Sequence, residues 1–348
     1  MMRNRMLFLL LVVQILLVGG CTTDFEVYAP DKEIRSVYCV LNPRDTVQYV
    51  RIAKAFQVKG DAVQYAGAND FSVKGLRVQL KMGSKTWTAR EVPNVPKDSG
   101  AFLPLHTVYA FSTRGSDSLP YDRQYTLEIG TPDAPGYVTG TTNLPPVPKV
   151  RGDLNSTSGA GNTICLPRLA LERRFAFVWK ALAASISYEV RVGLNFEANG
   201  ISDSTLWGPS ELLSSERKCN AQECSFIFEA KQLLGKFATA MPLLPQTSYT
   251  YDTRDSCAPA NLHSIMPRSL WFEVTAVDQY LSNYMTVNDP STVDLNGTKP
   301  EYTNLTGNLD VIGIFGSYHT DRRYAILQAC SAYLLGLNGV SRPVNCSW

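Results

Sequence analysis

The sequence predicts a mainly β protein built as two antiparallel β-sandwich domains, and three observations predict it. From Glu33 onward, short runs alternate apolar and polar residues, the period of half-buried strands. Turn-forming clusters such as Asn42-Pro43-Arg44-Asp45 and Gly83-Ser84-Lys85 separate those runs. Leu144-Pro145-Pro146-Val147-Pro148 then divides the β pattern in two, because consecutive prolines neither pair fully in a sheet nor continue a helix.

Residues 1–20 stand apart from this pattern. Arg3 and Arg5 give a positive start, Met6 to Val18 is apolar except for Gln14, and Gly19-Gly20 precedes Cys21. A basic start, a short apolar run and small residues describe a secretory signal, and the run is short for a membrane span. Cys21 directly behind the small pair resembles a bacterial lipobox. That resemblance implies a diacylated Cys21 thiol, cleavage before it and an acylated new amino-terminus. An ordinary signal peptide with a chance cysteine and an uncleaved anchor helix are the alternatives. Residues 21–32 read as a polar tether. Its Asp24 and Glu26 resemble the surface-export signal of Bacteroidota lipoproteins, and they equally suit a solvated leader.

Without Arg3 and Arg5 the chain has 31 basic and 31 acidic residues, so the expected mature protein is formally neutral. Neutrality argues against nucleic acid as a partner, and leaves membrane attachment to the lipid rather than to surface charge. Seven cysteines follow Cys21. Cys39 lies in the apolar run Ser36 to Leu41 and reads as a buried free thiol. Cys165, Cys219, Cys224, Cys257, Cys330 and Cys346 read as disulfide candidates in an oxidising compartment, in too many pairings for the sequence to fix connectivity. Cys219 and Cys224 lack the second close pair or nearby histidine of a zinc site.

The first domain is expected over residues 33–148. Ile34–Val40 and Val47–Phe56 alternate as two strands around the Asn42–Asp45 turn, and Gly75–Met82 with Thr86–Arg90 form a hairpin. Gln124–Ile129 and Gly136–Thr142 read as another antiparallel pair. The second domain is expected over 149–288, with strands at Phe175–Trp179, Ser187–Val192 and Leu270–Asp278. A Trp-bearing strand, a Tyr-x-Val-x-Val strand and a Phe-x-Val-x-Ala-Val-Asp strand resemble strands B, C and F of a fibronectin type III sandwich. The resemblance implies that the tryptophan and tyrosine pack between the sheets. Residues 193–269 are then a long cysteine-containing insertion, with a short helix at Ala230–Phe237 and an ordered, disulfide-braced surface. Residues 289–348 are expected to extend and pack on the second domain, with a strand at Asn308–Tyr318 and a strand or helix over Arg323–Leu335.

Lipobox, sandwich, Pro-Pro-Val-Pro linker, Trp-bearing sandwich and a closing Gly-Ile-Phe-Gly-Ser-Tyr strand together resemble a family of unknown function. Its members are Bacteroidota outer-membrane lipoproteins, often encoded beside TonB-dependent receptors. That resemblance implies an accessory subunit at the cell surface, and it transfers no residue role.

The search for chemistry yields no catalytic or metal constellation and no cofactor motif. His106, His263 and His319 sit in separate regions and read as surface or turn residues. Gly83-Ser84-Lys85-Thr86 lacks the earlier glycine of a phosphate loop and lies in a hairpin. Arg151-Gly152-Asp153 resembles an integrin-binding tripeptide and is short enough to be chance. Thr46, Ser118 and Ser204 lie in Asp-Thr/Ser-x triplets that resemble the O-glycosylation signal of Bacteroidota secreted proteins. Trp207, Tyr249, Tyr251 and Tyr280 stand out as exposed contact candidates. The expected function is a surface-exposed outer-membrane lipoprotein, a non-enzymatic accessory subunit of an outer-membrane β-barrel, either a TonB-dependent transporter or barrel-assembly machinery. A carbohydrate-binding or adhesive surface lipoprotein is the alternative, and a surface hydrolase the third reading.

Overall fold

The computed structural model describes residues 34–56, 58, 61–97, 105–131, 137–151, 163–165, 174–180, 182, 187–198, 201–207, 213–214, 219, 223–229, 249–250, 253–254, 270–288, 302–308 and 310–328. The chain is mainly β, in several antiparallel sheets. Its first half runs β1 (Ile34–Leu41), β2 (Val47–Lys54), α1 (Ala62–Ala68), β3 (Arg77–Met82), β4 (Lys85–Thr88), β5 (Arg90–Pro96), β6 (Leu105–Ser112), β7 (Arg123–Gly130) and β8 (Val138–Leu144). Then follow β9 (Val150–Arg151), β10 (Thr163–Cys165), β11 (Arg174–Lys180), β12 (Ser187–Ala198), β13 (Ile201–Trp207), β14 (Leu213–Ser214) and β15 (Glu223–Glu229). Next are β16 (Tyr249–Thr250), β17 (Thr253–Arg254), β18 (Leu270–Val277), α2 (Gln279–Val287), β19 (Leu305–Gly307) and β20 (Asp310–Gln328).

The expected hairpins form where alternation and turn residues agree. β1 pairs with β2 around Asn42–Asp45, and β3 with β4 around Gly83, whose φ of 56° suits a residue without a Cβ. In β1 every second residue, Val37, Cys39 and Leu41, points inward and is buried. β7 and β8 pair as expected and join β3, β4 and β19 in a five-stranded sheet. This sheet faces β1, β2 and β6. Val37, Cys39, Val50 and Ile52 meet Val78, Leu80, Tyr125, Leu127 and Ile129 in one apolar core. Cys39 is a free, buried thiol whose pKa burial pushes up, so it packs as a small hydrophobe.

The second half holds a three-stranded sheet ordered β15-β11-β9 and strands β13, β12 and β18 of a larger sheet. Trp179 of β11 packs edge-on against Tyr188 of β12 at 5.3 Å between ring centroids, and both are fully buried. Residues 193–269 supply strands to both sheets, since β13 pairs with β12 and β15 with β11. Cys219 and Cys224 form a disulfide at the start of β15. The helix expected at 230–237 lies outside the described residues.

β20 links the halves. Over 19 residues it merges the expected Asn308–Tyr318 strand with part of the Arg323–Leu335 segment. Residues 310–317 pair in parallel with β1, and residues 318–325 pair antiparallel with β18. The segment expected to extend and pack on the second domain pairs with β18 there and with β1 in the first half. A single twelve-stranded sheet results, its main path β13-β12-β18-β20-β1-β2-β6-β5. Phe315 from β20 is fully buried in the core of the first half, and Leu305 of β19 joins it there. No described helix is long and apolar enough to cross a membrane.

Gly313 sets the close approach of β20 to β1. Its φ is 110°, and a Cβ there would collide with the carbonyl oxygen of Val37. Gly313→Ala should therefore destabilise the protein by at least about 1–3 kcal/mol, the usual scale of such backbone strain. A urea denaturation midpoint equal to wild type would contradict this placement of β20.

Candidate functional site

The outer face of the large sheet becomes a groove where the two halves meet. Along β12 the residues Tyr188, Val190 and Val192 turn inward, so Glu189 and Arg191 turn outward. On β18 the same alternation buries Phe272, Val274 and Ala276 and sends Glu273 and Thr275 to the other face. Strand register sets these residues in rows: Arg191 opposite Glu273 opposite Arg322, and Glu189 opposite Thr275 opposite Thr320. One wall is α2, through Leu281 and Met285, and the other is the β1–β2 turn, through Arg44 and Asp45. The groove encloses about 660 Å³, within the roughly 300–1,000 Å³ of small-ligand sites.

Its charges balance, and most are held in place. Arg322 donates from Nε at 2.8 Å and Nη2 at 2.7 Å to Glu273 Oε2, and its guanidinium lies 3.9 Å from the centre of the Trp271 ring. Burial works against the Arg322 charge, but the hydrogen bond and attraction of Glu273 outweigh it and raise its pKa. Trp271 lies flat over Gly193, where a Cβ would strike the indole, and its Nε1 donates to Asn195 Oδ1 at 3.0 Å. Arg191 binds Glu189 through Nε at 2.9 Å and Nη2 at 2.7 Å. Arg44 donates to the Thr320 carbonyl at 3.2 Å. The exposed Arg191–Glu189 pair is worth about 0–1 kcal/mol and can be exchanged for a partner's groups, whereas the buried Glu273 holds the Arg322 guanidinium in place.

Behind the groove, the inner face of β20 is polar, and it holds the linker between the halves. Ser317 Oγ donates to the Asn143 carbonyl at 3.0 Å, His319 Nδ1 meets the Pro145 carbonyl at 3.1 Å, and the Val150 N–H donates to Asp321 at 3.0 Å. Asp278 is buried at the centre. It accepts from Thr142 Oγ1 and from the Leu281 N–H at 2.6 Å, capping α2, and Ser317 Oγ lies 3.3 Å from its Oδ2. His319 is only 6% exposed, which corrects the expectation of a surface or turn residue. Burial first, and then Arg44, lower its pKa, against the raising effects of the Pro145 hydrogen bond and Asp321.

The structure places the other sequence candidates as follows. Cys21, Cys257, Cys330, Cys346, His263, Gly152, Asp153 and Tyr251 lie outside the described residues. Cys165, Ser204, Trp207 and Tyr249 stand on β10, β13, β13 and β16, with side chains outside the description. Thr46 and Ser118 are exposed, in loops before β2 and before β7. His106 is half-buried on β6, and Tyr280 packs with Leu281 against Ile314. Thr46, Ser118, His106 and Tyr280 do not line the groove. Among the described residues no group of His, Cys, Asp and Glu has metal-holding geometry.

A family model for a domain of unknown function, DUF4249, matches residues 22–323. The chain belongs to the DUF4249 family. No curated protein matches it. The DUF4249 match takes in the groove, the seam and both halves, and it starts one residue after Cys21.

Asp278 makes the seam sensitive to pH. Burial raises its carboxyl above the ordinary value of 3.8, against the lowering hydrogen bonds from Thr142, Leu281 and Ser317. A carboxyl that holds its proton more tightly when folded contributes stability below its unfolded pKa and loses it as pH rises through the folded one. Wild type should thus lose stability relative to Asp278→Asn from about pH 4 upward. Parallel denaturation profiles for the two proteins would contradict this.

Proposed function

We propose that this DUF4249 protein is an outer-membrane lipoprotein, acylated on Cys21 and facing the cell exterior. In this reading it serves as a non-enzymatic accessory subunit of an outer-membrane β-barrel, either a TonB-dependent transporter or barrel-assembly machinery. The observation that carries the reading is the groove: a neutral, pre-oriented set of arginines and carboxylates on a rigid sheet face. Such a surface suits recognition of a polar protein segment, where charge complementarity sets register and on-rate. The leader supports the anchor, and a family domain that begins directly behind Cys21 fits cleavage at that position.

The second half is proposed to be fibronectin type III-like. Its Trp179–Tyr188 contact, the β9-β11-β15 sheet and the β13-β12-β18-β20 sheet are what such a module would have. A second reading is a carbohydrate-binding surface protein. Paired Arg and Glu, threonine hydroxyls and Tyr318 and Tyr324 in one groove are also suited to a sugar.

Purification of the tagged, full-length protein in mild detergent should recover a β-barrel protein. Arg44→Gln with Arg191→Gln, both at exposed positions, should reduce that recovery several-fold while lowering the denaturation midpoint only slightly, since neutral side chains avoid setting a third carboxylate beside Glu189 and Glu273. Recovery of the protein alone, with binding on a glycan array lost in the same double variant, would replace the accessory reading with the carbohydrate one.

A further inference from the structure

One end of the first half carries apolar side chains that the core does not use. β1 begins there at Ile34, β2 ends there at Lys54, and β6 starts there at Leu105, because β1 and β6 both run antiparallel to β2. The Ala55 N–H donates to the Ile34 carbonyl at 2.8 Å, so Phe56 adjoins the point where the chain leaves the tether. Phe56 stacks on Phe71 at 4.2 Å, and Tyr65 of α1 packs on Phe56 at 5.5 Å and on Phe71 at 5.8 Å.

α1 has the sequence AVQYAGA, without a charged side chain, and Ala66 is its buried residue. Val63 is 62% exposed, Tyr65 40% and Leu105 43%. A surface helix ordinarily turns a charged or polar face to water. Here the outward face carries Val63 and Tyr65 with Gln64 between them, and the one charge at the helix is the capping Asp61; the tyrosine ring is of the amphipathic kind that settles at lipid headgroups. Residues 22–33 reach at most about 45 Å even when fully extended at roughly 3.3–3.6 Å per residue. Lipid on Cys21 would therefore hold this end near the membrane at a high effective concentration.

We propose that this end of the protein lies against the lipid surface, with Val63 and Tyr65 of α1 and Leu105 of β6 at headgroup depth. The inference rests on the acylation of Cys21 proposed above. It turns the groove, at the far side of β1, away from lipid and toward other molecules.

The test uses the full-length protein purified from membranes and reconstituted in phosphatidylethanolamine–phosphatidylglycerol vesicles. A fluorescent amino acid is placed at position 63, or at position 116 in the exposed turn beyond the opposite end of β6, and lipids spin-labelled at the headgroup act as quenchers. Intact mass first reads the acyl chains on Cys21. With Cys21 acylated, several-fold stronger quenching at 63 than at 116 is expected, and Val63→Asp with Tyr65→Asp should bring a probe at position 62 down to the level of 116. Equal quenching at both positions, or shielding of 63 only after a barrel protein or a second copy is added, overturns the lipid contact and leaves the anchor standing. An unacylated Cys21 overturns both.

Discussion

The structure depends on one strand shared between two sandwiches. β20 enters the first half beside β1, where Phe315 fills the core, and continues beside β18 in the second half. Every second residue on its inner face, from Ser317 through His319 to Asp321, bonds to the segment that joins the halves. That segment contains Pro145, Pro146 and Pro148, which lack the N–H that a ladder would use. Side chains from β20 therefore supply the hydrogen bonds that backbone pairing cannot. An unpaired buried polar group costs about 1–3 kcal/mol, so this seam is held by necessity rather than by surplus attraction.

The groove is a consequence of the same strand. Arg44 comes from the β1–β2 turn, Glu189 and Arg191 from β12, Glu273 from β18 and Arg322 from β20. Only a strand that crosses from one half to the other brings these residues to one face. Trp271, trapped between Gly193 and the Arg322 guanidinium, makes that face rigid. A proposed partner surface on rigid strands gives the orientation that a loop would have to acquire on binding.

Much of the first half was legible in the sequence, because alternation and turn residues act locally. β1, β2, β3, β7 and β8 lie where Val37, Cys39 and Leu41, or Tyr125, Leu127 and Ile129, mark one face. β20 was legible only in part. His319-Thr320-Asp321-Arg322-Arg323 is polar throughout and reads as the end of a strand. The strand continues because both of its faces are polar at the seam, His319 and Asp321 toward the linker and Thr320 and Arg322 toward the groove. The groove itself was not legible, since its rows depend on antiparallel pairings of residues about 45–90 positions apart, and its Arg44 wall on a parallel pairing of residues about 275 apart. α2 had a readable signal in Asp278 as its cap, with Leu281 on its buried side; α1, with one buried residue, offered no helical period.

The central claim is that β20 makes the two sandwiches one cooperative unit. Native-state hydrogen exchange measured against urea tests it most directly, by comparing amides of β1 in the first half with those of β18 in the second. The account predicts that both sets reach the same opening free energy and the same urea dependence, merging in one global unfolding transition. Separate transitions, with β18 amides exchanging while β1 remains protected or the reverse, would contradict it.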